Sequence, residues 1–159
     1  MTLKDIDLIV YDFDGVMTDN RVLVFQNGQE AVFCNRSDGM AVSFLKEKGV
    51  RQVILSTEEN GVVSARARKL GIECIQNAHD KKKELVGFVK KNGIDLEKVL
   101  YIGNDLNDLE AMKVAGYAMC PEDAADEIKN LVNQVIPEKG GHGVIRRLWD
   151  ILTTGEKDE

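Results

Sequence analysis

The chain has 159 residues, 43% hydrophobic and 30% charged, with two prolines and a formal net charge of -6. That length suits one domain and leaves little room for a second, and the composition excludes a disordered or fibrous chain. An acidic protein lacks the footprint that holds nucleic acid phosphates, so no nucleic acid partner is expected. No run approaches the ~20 apolar residues that span a bilayer. Residues 1–7 carry acids where a signal peptide would have a basic segment and then an apolar one. Cys34, Cys74 and Cys120 are odd in number and lack metal-like spacing, so they read as free thiols of a cytoplasmic protein.

Residues 6–11 form an apolar run broken by Asp7, read as a buried strand that ends at Asp12. Two β-rich pieces follow, 21–25 and 30–34, and the Asn27-Gly28 between them signals a hairpin. Asp38 precedes a helix expected over 39–48, stopped by Gly49. Residues 50–55 are the second core strand, 60–70 a helix, and 72–75 the third strand. Asp80 caps a helix that stops at Asn92-Gly93, and 99–102 is the fourth strand. Asp105 is expected to open a helix through Val114, with a fifth strand at 117–120. Two helices, 123–132 and 144–152, then flank the glycine-rich stretch 137–143, and 153–159 read as a polar, frayed tail. Strands alternating with helices predict an α/β fold, a doubly wound parallel sheet covered on both faces, as one domain over 1–152. Such sheets place ligands at the carboxyl ends of their strands.

The first strand end reads Asp12-Phe13-Asp14-Gly15. Two carboxylates at the exit of a buried strand are costly unless a cation lies between them, and Mg²⁺ is the natural hard cation for such donors. Gly15 lets backbone amides turn toward an anion. An Asx-rich turn is the alternative. The fourth strand end, Gly103-Asn104-Asp105-Leu106-Asn107-Asp108, brings a second acidic turn to the same sheet edge, part of which serves as a helix cap. Ser56 and Thr57, at the second strand end, can donate to phosphoryl oxygens. One of Lys81, Lys82 and Lys83 pointing inward would balance the acids, the others being solvated.

In this order the motifs resemble the haloacid dehalogenase superfamily of phosphohydrolases, over essentially the whole chain. The hairpin, the Asn35-Arg36-Ser37-Asp38-Gly39 segment and Lys139-Gly140-Gly141-His142-Gly143 resemble its small branch of 3-deoxy-manno-octulosonate 8-phosphate phosphatases and sialic-acid-type 9-phosphate phosphatases. Leu55-Ser56-Thr57-Glu58-Glu59-Asn60 and residues 65–70 look most like the sialic-acid side, and similar domains lie behind CMP-sialate synthetases. The resemblance implies Asp12 as nucleophile, Asp14 as general acid and base, and Ser56 and Lys81 as holders of the phosphoryl group. It implies Mg²⁺ on Asp12, Asp14 and the last motif, here Asn104 with Asp105. The family usually has an aspartate where this chain has Asn104, which takes one negative charge from the metal site.

The intervals from Asp12 to Ser56 and from Ser56 to Lys81 are too short for a cap domain. The resemblance therefore implies a homotetramer in which a neighbour covers the site, the glycine-rich segment reaching in and Arg146 facing a carboxylate, with a plain turn before the last helix as the alternative for that segment. Glu58, Arg66 and Lys69 can read the carboxylate and hydroxyls of a sugar acid, with a solvated helix face as the alternative. The expected substrate is a nine-carbon 2-keto-3-deoxy acid 9-phosphate, with the eight-carbon 8-phosphate as runner-up. A second expectation, favoured by Asn104, is a weakly active tetramerising module that supports sialate activation.

Overall fold

The computed structural model describes residues 1–154. Its centre is β1 (Leu8–Tyr11), four residues with no solvent exposure. Such a strand must be covered on both faces, as in parallel sheets. The chain then forms a small antiparallel hairpin, β2 (Leu23–Val24) and β3 (Glu30–Ala31). It continues through α1 (Arg36–Glu47), β4 (Arg51–Leu55), α2 (Gly61–Leu70), β5 (Glu73–Ile75) and α3 (Lys81–Asn92). After β6 (Val99–Ile102) come α4 (Leu109–Met112), β7 (Tyr117–Pro121), α5 (Asp126–Leu131), β8 (Gln134–Ile136) and α6 (Val144–Thr153).

The main sheet is parallel throughout, in the order β5-β4-β1-β6-β7-β8. The alternation of side chains along each strand divides the core in two. Ile9, Tyr11, Ile54 and Ile102 pack with Val42, Leu45, Val63, Ile145 and Leu148 of α1, α2 and α6. Leu8, Val10, Val53 and Tyr101 pack on the other face with Leu85, Val89, Met112 and Ile128 of α3, α4 and α5. The doubly wound expectation therefore holds. The chain leaves β1 toward β4 on one side and returns to β6 on the other, so the switch point lies at the carboxyl end of β1.

Several elements differ from expectation for identifiable reasons. The sheet has a sixth strand, β8, which pairs parallel to β7 through Met119–Gln134, Cys120–Val135 and Pro121–Ile136. The hairpin ladder is confined to two residues a side. Helix α1 starts three residues earlier than expected, because Asn35 caps it by accepting from Ser37 N at 2.9 Å. Asp38 instead lies inside α1 and accepts from Arg146 N at 3.0 Å, capping α6 across the fold. Gly143, the residue preceding α6, has no side chain with which to do so. The helix expected from Asp105 begins only at Leu109, since the Asp108 carboxylate takes up the Asn104 and Asp105 amides and holds 105–108 as turns. Thr153, placed in the tail by sequence, ends α6. The remaining tail residues 155–159 lie outside the described residues. Among the described residues no helix is long and apolar enough to cross a membrane.

Candidate active site

Asp12 leaves β1 with its amide still bonded to Ile102 O at 2.9 Å, so the ladder to β6 places it at the switch point. The next residues form a tight loop, Phe13–Met17, in which Gly15 has φ +82°. A Cβ at Gly15 would collide with the Asn104 side chain. On its other side the loop rests on the glycine-rich segment. Gly141 N donates to Val16 O at 3.0 Å, and a Cβ at Gly140 would collide with Gly15 O. Packing this close from Asn104 through Gly15 to Gly140 is possible only with glycine at both positions.

Behind Asp12 lies a buried knot of charge. Lys81, the first residue of α3, places Nζ 2.7 Å from Asp12 Oδ1 and 2.7 Å from Asp108 Oδ1. Tyr101 OH donates to the same Asp108 oxygen at 2.8 Å, and Asn104 N donates to Asp108 Oδ2 at 3.0 Å. Lys81 is 2% exposed while Lys82 and Lys83 are exposed, as their reading as solvated requires. One ammonium between two carboxylates leaves one negative charge in excess. Burial and the Asp108 charge push the Asp12 carboxyl up to about 8, although Lys81 pulls the other way. Burial works against the Lys81 charge too, but Asp12 and Asp108 outweigh it and hold its pKa above the ordinary value. The two shifts pull the ion pair in opposite directions, and the excess carboxylate accounts for both.

Asp12, Asp14, Ser56, Thr57, Asn104 and Asp105 line one cavity of about 330 Å³, together with Asn20 and Asn107. Three oxygen donors meet there. The Asn104 side-chain amide lies 3.0 Å from Asp12 Oδ2 and 3.0 Å from the Asp14 carbonyl oxygen. With its NH₂ group facing them it donates two hydrogen bonds; with its oxygen facing them it completes a triad of acceptors. Ligands about 2.1 Å from a Mg²⁺ ion in octahedral geometry lie roughly 3.0 Å apart along each edge, and the two separations from the Asn104 amide match that spacing. Among the described residues no three His, Cys, Asp or Glu side chains converge as a metal cage. The donor set here is one carboxylate, one carbonyl and one amide. Asp105 sits at the exposed rim, its Oδ1 accepting from Leu106 N at 2.8 Å.

Asp14 faces the cavity with its carboxyl held above the ordinary range by burial, with Glu58 and Glu30 adding to the shift. Thr18 Oγ1 accepts from Gly15 N at 3.2 Å and Asn20 N at 3.1 Å. With both lone pairs engaged, its proton is directed to Asp14 Oδ1, 3.2 Å away. Ser56 Oγ accepts from Glu58 N at 3.1 Å, which leaves its own proton available to a ligand.

The remaining expected substrate residues are dispersed. Glu58 lines a second cavity that shares Asp14 and Asn20 with the first. Arg66 and Lys69 line a separate groove with Arg36 and Met40, between α1 and α2. Helix α2 carries them away from Ser56, and Arg66 Nη2 donates to Asn35 O at 3.0 Å. Arg146 pairs with Asp150 at 3.5 Å on α6. Within one chain, then, the structure does not bring Arg66, Lys69 or Arg146 to Asp12. Sequence reasoning does not single out Thr18, Asn20 or Tyr101, and it names Asp108 only as part of an acidic turn. The polarity of Thr18 and Asn20 beside Asp14 is a usable signal, but the bonds from Tyr101 and Lys81 to Asp108 follow only from the sheet.

Comparison with known proteins agrees with this architecture. Residues 45–148 match the family model for haloacid dehalogenase-like hydrolases. A crystal structure assigned to the HAD family of hydrolases, from Streptomyces avermitilis, is 38% identical with a TM-score of 0.94, over 98% of this chain and 90% of that one. The 3-deoxy-D-manno-octulosonate 8-phosphate phosphatase of Moraxella catarrhalis, solved with magnesium, phosphate and KDO, is 31% identical with a TM-score of 0.91, over 96% of this chain and 88% of that one. The N-acylneuraminate cytidylyltransferase of Oncorhynchus mykiss is 29% identical over 87% of this chain, which spans only 33% of that enzyme. The chain belongs to the haloacid dehalogenase-like hydrolases and is a phosphoric monoester hydrolase.

Proposed function

We propose that the protein hydrolyses the terminal phosphate monoester of a 3-deoxy-2-keto sugar acid through an aspartyl-phosphate on Asp12. The observation that carries this reading is the Asn104 amide lying 3.0 Å from both Asp12 Oδ2 and the Asp14 carbonyl, beside Ser56 and with Asp12 backed by Lys81. Asp12 attacks phosphorus, and Asp14, its carboxyl raised, protonates the leaving oxygen and then takes a proton from the attacking water. Ser56 donates to a phosphoryl oxygen, and Lys81 keeps Asp12 oriented while offsetting charge. Mg²⁺, held by Asp12, Asp14 O and Asn104, would neutralise the phosphoryl oxygens as charge builds on them.

Two esters suit the site. The Moraxella relative supports the eight-carbon 8-phosphate, and Glu58 beside Asp14 supports the nine-carbon 9-phosphate expected from residues 55–60. Among the described residues no cap covers the cavities of one chain. The hairpin next to them exposes Val22, Leu23, Val24 and Phe25, and Phe33 is 70% exposed. This apolar rim supports a homotetramer in which a neighbour closes the site, and the groove of Arg36, Arg66 and Lys69 is then free to meet a carboxylate from outside its own chain. The single-domain reading of 1–152 and a cytoplasmic location accompany this proposal.

Phosphate release from both esters, with and without Mg²⁺, tests it. Mg²⁺-dependent turnover that disappears in Asp12→Asn is the expected result, and undiminished turnover in that variant would overturn the mechanism. Asn104 and the cytidylyltransferase similarity favour a second reading, a weakly active assembly module. Its signature is an intact oligomer that releases no phosphate from either ester.

A further inference from the structure

The second cavity, about 230 Å³, opens on Asp14 from the hairpin side and is lined by Asn20, Arg21, Val22, Glu30, Val32, Glu58 and Val62. If Asp14 protonates the ester oxygen, the leaving group begins at Asp14 and extends into this space. Two carboxylates on its wall are set by one residue. Asn60 N donates to Glu58 Oε1 at 2.9 Å, and Asn60 Nδ2 donates to Glu30 Oε2 at 3.1 Å. Asn60 is itself fixed, since its Oδ1 caps α2 by accepting from Val62 N at 3.1 Å and its carbonyl accepts from Gln76 Nε2 at 3.0 Å.

Among the described residues, Glu30 Oε1 and Glu58 Oε2 have no hydrogen-bond partner. The nearby cation does not neutralise them, because Arg21 is turned to Asp19, with Nη2 2.7 Å and Nε 3.0 Å from Asp19 Oδ2. An ionised carboxylate only accepts. Two fixed acceptors without a counter-cation call for donors on the ligand and repel anions.

Resting on the phosphatase reading, we infer that Glu30 is a specificity residue which, beside Glu58 and positioned by Asn60, accepts hydrogen bonds from the hydroxyls of a polyol leaving group. The same wall requires any carboxylate of the substrate to lie several carbons from the ester. A sugar acid phosphorylated at the end opposite its carboxylate meets both conditions, and a short phosphorylated acid meets neither.

The experiment compares wild type, Glu30→Gln and Asn60→Asp on sorbitol 6-phosphate, p-nitrophenyl phosphate and phosphoglycolate. In Glu30→Gln the kcat/KM ratio of sorbitol 6-phosphate to p-nitrophenyl phosphate should fall about tenfold, the scale of losing a charged acceptor. The ratio of phosphoglycolate to p-nitrophenyl phosphate should rise severalfold, because a repelling charge has gone. Asn60→Asp, which replaces the donor to Glu30 with a third acceptor, should lower the first ratio as well. Unchanged ratios in Glu30→Gln overturn the inference. Calorimetric binding of the free eight-carbon sugar acid separates the polyol site from the phosphatase chemistry. Binding weakened by Glu30→Gln in a protein that turns over no ester would preserve the polyol site and refute the phosphatase mechanism. Binding equal in wild type and variant, alongside normal turnover, would do the reverse.

Discussion

Among the described residues two clusters bury charge, and each leaves it incompletely matched. At the carboxyl end of β1, Lys81 stands between Asp12 and Asp108, and the two carboxylates accept five further hydrogen bonds or contacts from named neighbours only because a whole strand end converges on them. At the junction of α1 and α6, Asp38 is 2% exposed and accepts from Arg146 N, yet its Oδ2 has no partner. Burial pushes the Asp38 carboxyl up to about 6. The first cluster opens on a cavity, where a cation can supply the missing charge. The second lies between packed helices, where Arg66 offsets only part of the charge and a proton supplies the rest. The same physical imbalance thus faces a cavity in one place and is a pH-dependent cost in the other.

Removing the cation that the first cluster does have should produce the largest effect. In Lys81→Met two buried carboxylates face each other without a counter-charge, and the loss should be about 3–5 kcal/mol of stability together with all measurable turnover. Urea unfolding and phosphate release would check both. A variant as stable as wild type would mean that the knot takes up a proton at no cost, and the contrast with Asp38 would collapse.

A smaller change adds to the imbalance. Asn104→Asp places a carboxylate 3.0 Å from Asp12 Oδ2 and the Asp14 carbonyl, where the amide can now donate to both. Without metal the variant should lose on the order of 2 kcal/mol through lost hydrogen bonds and repulsion. With Mg²⁺ it should gain about tenfold in affinity, since the donor set acquires a full charge. Thermal unfolding with chelator and over a Mg²⁺ series reads both signs. A variant destabilised without metal but no tighter for Mg²⁺ would show that the triad is not where the ion binds.

These clusters also mark how far the sequence can be read. The strand-end rule places Asp12, Asp14, Ser56 and Asn104 around one cavity because each lies within three residues of the end of an apolar run, so local pattern and position in the sheet coincide. Lys81 is legible as one of three lysines, and its inward direction comes from being the first residue after the Asp80 cap. Asp38 reads in the sequence as a local cap for its own helix, and the structure corrects this. Asn35 outcompetes it there, and its actual partner is 108 residues away. Arg66 and Lys69 share a helical face as expected, but the cavity they face depends on how α2 leans on α1. Strand β8 is invisible to pattern because Gln134 and Val135 are exposed and only Ile136 is buried, so its three residues show no strand-like run.

The mildest test concerns Asp38, and its sign follows from proton binding. A carboxyl that titrates near 6 in the folded protein and near 3.8 when unfolded holds its proton longer in the native state. Stability attributable to it is therefore fully present below about pH 4 and is lost as pH rises through 6. The loss should be on the order of 2 kcal/mol, allowing for partial relaxation of a nearly buried group. An Asp38→Asn substitution keeps an acceptor for Arg146 N and cannot ionise. At pH 4 this variant should match wild type, because a protonated carboxyl and an amide each present one buried donor group without a partner. At pH 7.5 it should be the more stable of the two. Paired urea midpoints across this range decide the point. A difference that stays constant with pH would mean that Arg66, whose Nε lies buried without a partner nearby, turns to neutralise Asp38, and that both clusters are matched by cations after all.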